Sequence, residues 1–84
     1  MSDESIAARI ERLVGEEHDL RTREQADAAS DDALEADRER LRSVEVELDR
    51  CWDLLRQRRA FRDAGTDPEQ AHARNAGTVE GYLQ

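Results

Sequence analysis

The chain has 84 residues, 13 basic against 21 acidic, a net charge of −8 and an aromatic content of 4%. That length allows one domain at most, and a core of this size is worth roughly 3–5 kcal/mol unless something staples it. A single Cys excludes an intrachain disulfide, no Cys/His cluster offers structural zinc, and the acidic balance opposes general binding to nucleic acid or anionic membranes.

The staple left to a chain of this size is self-association. All 13 basic residues are Arg. The opening MSDESIAARI is acidic and lacks the apolar run of a signal peptide, and no stretch reaches the apolar length of a membrane span. These features predict a cytoplasmic protein.

Ser2 is placed to cap a first helix, with Asp3 and Glu4 at the positive end of its dipole. Ile6, Ile10, Leu13, Val14 and Leu20 recur at helical steps and predict one apolar stripe, interrupted by Glu17. A soft break follows at residues 28–32, with Ser30 as the next cap and Asp31 and Asp32 behind it. Leu34, Leu41, Leu48 and Leu55 then fall seven apart, joined by Val44, Cys51 and Trp52, a heptad seam in a second and longer helix. Residues 48–61, LDRCWDLLRQRRAF, hold the sole Cys, Trp and Phe beside the densest Arg cluster. Cys51, Leu54 and Phe61 form a second apolar line there, which one partner helix does not cover.

Gly65 is placed to end the second helix. Asp67, Pro68 and Gln70 carry a helix start signal, and Asn75-Ala76-Gly77 reads as its stop, leaving residues 78–84 as a tail. Strand patterns are nearly absent. The expected fold is all-α: an antiparallel, coiled-coil-like two-helix hairpin over residues 1–65, then a short third helix and C-terminal tail over residues 66–84 of the same domain. Registration about Ala29 places Leu13 near Val44 and Leu48, and Glu17 opposite Arg38 or Arg42. The second helix outruns the first, and Val79, Tyr82 and Leu83 are the natural cover for Leu54, Leu55 or Phe61. Two hairpins back to back would form a four-helix bundle, a homodimer associating through Leu41, Val44, Leu48, Cys51, Trp52, Leu54, Leu55 and Phe61.

The runs LDRCWDLLRQRRA (residues 48–60), AGTDP (64–68), VEGYLQ (79–84) and AARIERLVGEEHDL (7–20) resemble a family of short bacterial proteins classed as a domain of unknown function. The resemblance is weakest over residues 22–39. It implies a small stand-alone protein and no activity, ligand or catalytic residue.

Cys51 lacks an adjacent base and reads as a small buried apolar residue rather than a nucleophile. His18 neighbours Glu17 and Asp19, but adjacent helical positions diverge, so no metal site is expected there, nor at His72. Arg50, Arg56, Arg58, Arg59 and Arg62 form the one basic patch, of which Arg56, Arg58, Arg59 and Arg62 are the candidate anionic-partner face. Pairing with the acidic residues 31–49, of this chain or a dimer mate, is the plain reading; an acidic partner protein or nucleic acid is the alternative. Val79, Tyr82 and Leu83 could instead serve as a linear motif that orders on binding. No phosphate loop, nucleophile elbow or carboxylate–His pattern is present. The expectation is a non-enzymatic structural or interaction protein without a cofactor.

Overall fold

A computed structural model of the chain describes residues 2–25 and 31–82. The described residues are all-α, with helices α1 (Asp3–Gln25), α2 (Asp31–Asp63) and α3 (Ala76–Tyr82), and one 3-10 turn at Pro68–Gln70 between α2 and α3. The expected cap Ser30 and most of the first break lie outside the described residues.

Local chemistry sets the ends of the helices. The Ser5 amide donates to the Ser2 hydroxyl at 3.1 Å, the anticipated cap of α1. At the far end of α2, Gly65 adopts φ +77°, its amide donates to the Arg62 carbonyl at 3.0 Å, and the Thr66 amide donates to the Phe61 carbonyl at 2.7 Å. This is a Schellman closure, and its left-handed residue favours glycine. Gly65→Ala is expected to cost about 1 kcal/mol through backbone strain alone, since nothing within 4 Å would meet the added methyl. A melting curve of the variant checks this.

α1 and α2 run antiparallel. Asp3 meets Arg58 and Arg62 at one end, Arg9 pairs with Glu47 at 3.0 Å, and Arg23 pairs with Asp37 at 2.8 Å toward the other. The exposed pairs among these, Arg9–Glu47 and Arg62–Asp3, contribute little individually, typically about 0–1 kcal/mol; the apolar seam holds the hairpin. Its core is Ile6, Ile10 and Leu20 from α1 with Val44, Leu48, Cys51 and Leu54 from α2, edged by Leu13, Leu41, Leu55 and Ala71. Two seam expectations are corrected. Val14 is 47% exposed and stands at the groove edge, and among the described residues Glu17 pairs not with Arg38 or Arg42 but with Arg21, four residues on in its own helix, at 3.6 Å, as that spacing also allows. The α1 glutamates that do reach α2 are Glu16, bound by the Arg40 guanidinium at 2.9 Å, and Glu24, 3.7 Å from Arg38. Glu17 lies inside the apolar stripe, so its carboxylate escapes to the edge where Arg21 stands, while Arg40 stands on the other edge.

The C-terminal segment turns back along α2, with Ala71 against the edge of the hairpin core and Ala73 beside Ile6 and Arg9 of α1. The start signal at Asp67 produces a single turn: Asp67 caps Glu69 at 2.9 Å, and the helix does not continue. Side chains of α2 capture the carbonyls that a longer helix would use internally. Arg58 donates to the Pro68 carbonyl, Gln57 to that of His72 at 2.8 Å, and Arg50 to that of Arg74 at 3.0 Å. The expected stop at Asn75 is instead a start. Its side chain accepts from the Gly77 amide at 2.8 Å and its carbonyl from Val79 at 3.2 Å, opening α3. Val79 is fully buried, while Phe61 is half-buried. The cover therefore sits closer to the middle of α2 than the sequence suggested.

Candidate functional site

The nominated association residues divide in two. Val44, Leu48, Cys51 and Leu54 lie inside the hairpin core, so their apolar surface is already satisfied within the chain. Leu41, Leu55 and Phe61 are half-buried, and Trp52 is 49% exposed. Trp52 and Val14 line one shallow depression between α1 and α2, rimmed by Glu17, Arg21, Glu45 and Asp49. Leu41 lies in the adjoining depression, which shares Arg21. Trp52 therefore stands outside the hairpin core, half in water and ringed by charge.

The basic patch is largely committed to the chain itself: Arg50 pairs with Glu47, within residues 31–49, at 2.9 Å, while the others turn elsewhere. Arg58 is buried, with Asp3 and Glu69 on its guanidinium, and the Asp3 carboxylate stabilises its charged form. Arg62 and Arg58 in turn hold the Asp3 carboxyl below its usual range. Arg56 stands 4.0 Å from Asp53, and Arg59 is exposed with no ion pair among the described residues. Arg56 and Arg59 are what remains of an anionic-partner face.

Asp53 and Gln57 are buried polar groups that sequence reasoning missed. Gln57 donates to Asp53 at 2.9 Å and to the His72 carbonyl, and Arg74 approaches Asp53 at 3.5 Å. They lie on the polar side of α2, where hydropathy periodicity carries no signal, and their role is to dock the C-terminal segment. The tail motif is likewise part of the fold at Val79; the Tyr82 side chain and Leu83 lie outside what is described. Glu80 faces Asp49, with Glu45 nearby. The Asp49 contact, then burial, push its carboxyl above the usual glutamate range, and its Oε1 is buried without a hydrogen-bond partner.

On the other side of α2, Cys51 lies at the wall of a cavity of about 140 Å³ that Arg9, Glu47 and Arg50 also line. Burial pushes the Cys51 thiol up, so it is a neutral apolar wall at neutral pH. Among the described residues no three His, Cys, Asp or Glu side chains converge to hold a metal ion. No described helix is long and apolar enough to cross a membrane.

The chain is similar to the uncharacterized proteins Mb0922c of Mycobacterium bovis and Rv0898c of Mycobacterium tuberculosis. Each is 46% identical over 81 residues, 96% of this chain and 90% of the relative. No solved structure matches it. Residues 2–84 match the model of the family described as "Protein of unknown function (DUF2630)", and the chain belongs to that family.

Proposed function

We propose that the chain is a non-enzymatic helical interaction module that associates with a second copy of itself, with Trp52 as the anchor. The observation that carries this reading is the exposed Trp52 beside exposed Val14. In an acidic chain with mean hydropathy −0.97 and one Trp, that residue stands half in water at the middle of the longest helix. Aromatic anchors of this kind supply most of the energy of small interfaces. Two hairpins meeting on this side would form a four-helix bundle. The mixed rim of Arg21 with Glu17, Glu45 and Asp49 gives a two-fold arrangement charges of both signs to match. An acidic partner at exposed Arg56 and Arg59 is the second reading, carried by Arg59, which has no ion pair among the described residues.

Light scattering over a dilution series tests the first reading. The expected mass is twice the 9.6 kDa of one chain. Trp52→Ser is expected to give the single-chain mass with its helical signal intact, since a half-exposed side chain contributes little to the monomer fold. A wild-type chain that stays monomeric at every concentration, fully helical, would overturn the proposal.

A further inference from the structure

The groove of α2 opposite the Trp52 side holds a feature that self-association does not use. Ile6 and Arg9 of α1, Glu47, Arg50, Cys51 and Leu54 of α2 and Ala73 of the C-terminal segment line a cavity of about 140 Å³ that is open on one side. Its floor is apolar, formed by Ile6, Cys51 and Leu54, all buried. An apolar cavity of about 150 Å³ is known to take up benzene, so this void matches one small ring or a short alkyl chain.

Its mouth is charged and already ordered. Arg9 donates to Glu47 Oε2 at 3.0 Å, and Arg50 donates to Glu47 Oε1 at 2.9 Å. Arg50 is further fixed through its Nε to the Arg74 carbonyl at 3.0 Å. Two guanidiniums thus share one carboxylate, and the rim keeps one unit of positive charge in a protein of net charge −8. Glu47 occupies one donor of each guanidinium, which leaves other donors of Arg9, 45% exposed, within reach of a second anion. Arg–carboxylate pairing is the strong, oriented form of such contacts.

We infer that this cavity binds a small apolar monocarboxylic acid, its ring or chain in the pocket against Cys51 and its carboxylate at Arg9 and Arg50. The ligand completes the charge count at the rim, two guanidiniums against two carboxylates. Glu47 is the built-in competitor for the same guanidiniums. Cys51 forms no bond to the ligand and reports occupancy through its own accessibility.

Benzoate is the probe, with benzyl alcohol as its uncharged counterpart, followed by NMR shift titration and by the rate at which a disulfide reagent labels Cys51. Benzoate is expected to saturate at one per chain and to slow labelling. Benzyl alcohol should bind about tenfold more weakly, the value of one charge-assisted contact. Arg9→Gln, a change at an exposed position, should weaken benzoate by a similar factor. Glu47→Gln should tighten it, the reverse of what loss of a merely structural ion pair would do. Absence of saturable shifts, equal affinity for benzoate and benzyl alcohol, or a Glu47→Gln variant that binds more weakly would each overturn the inference. None of these readouts depends on the state of the Trp52 face, so a monomeric chain leaves the test intact.

Discussion

Ile6→Ala is expected to remove most of the stability of the chain, about 3 kcal/mol by the usual cost of emptying a core isoleucine. A domain of this size holds roughly 3–5 kcal/mol in total, so the variant should melt near or below the start of the wild-type transition. Two features put Ile6 at the severe end. It is 1% exposed, and it borders the 140 Å³ cavity, so truncation enlarges an existing void instead of opening a new one that neighbours could fill. The first turn of α1 is also pinned by Asp3 on Arg58 and Arg62, which resists collapse of α1 onto α2. Arg12→Ala, at an exposed position on the same helix that lines neither the Trp52 depression nor the cavity, is the control and should change the melt by no more than a few tenths of a kcal/mol. Thermal unfolding followed by circular dichroism decides it; similar losses for the two variants would show that the seam is not the core.

The hairpin was legible because its signals are periodic. Leu41, Leu48 and Leu55 at seven-residue steps, Ser2 as a cap and Gly65 as a stop are local statements, and each is realised where the residues stand. The return of the C-terminal segment was not legible. Asp67-Pro68 predicts a helix, and its local chemistry is satisfied by one turn. What diverts the chain afterwards is capture of the 68, 72 and 74 carbonyls by Arg58, Gln57 and Arg50, contacts ten to twenty-four residues apart in sequence. No period or propensity carries that information. Asn75 was misread for a related reason: the same residue suits the end of one helix and the cap of the next, and only the docking of Val79 on α2 selects the second role. The second apolar line of α2 follows the same logic. Cys51 and Leu54 join the hairpin core, with Ala71 of the returning segment packed at its edge. The case for self-association therefore rests on exposed Trp52 rather than on that line.

Val79→Asp is expected to release α3 while the hairpin stays folded. Val79 is 0% exposed, and burial of a valine contributes roughly 1.5–3 kcal/mol. A carboxylate there loses that term and joins Glu80, Asp49 and Glu45, so the least costly response is undocking of residues 76–82. Seven residues do not hold a helix alone, and their amides should exchange at unprotected rates while those of α2 beneath Leu48 stay slow. The wild-type protein should show a smaller form of the same opening as a function of pH. Glu80 carries a raised carboxyl pKa when docked against Asp49 and Glu45, so docking is weakest at neutral pH. It strengthens as pH falls through the raised value toward the ordinary glutamate value, where the gain is complete. Asp3 and Glu16 act in the opposite sense: Arg62 and Arg58 on the one, and Arg40 on the other, hold them below their usual range. Their contribution is present above the ordinary carboxyl values and is lost as pH falls through the lowered ones. Mild acid should therefore protect α3 before stronger acid destabilises the hairpin, and Glu80→Gln should abolish the first effect and leave the second. Protection of α3 amides, relative to their intrinsic exchange rates, that ignores pH, or a Val79→Asp chain whose α3 amides remain protected, would mean that the segment is held by Gln57 and Arg50 on the preceding carbonyls and not by its own buried face.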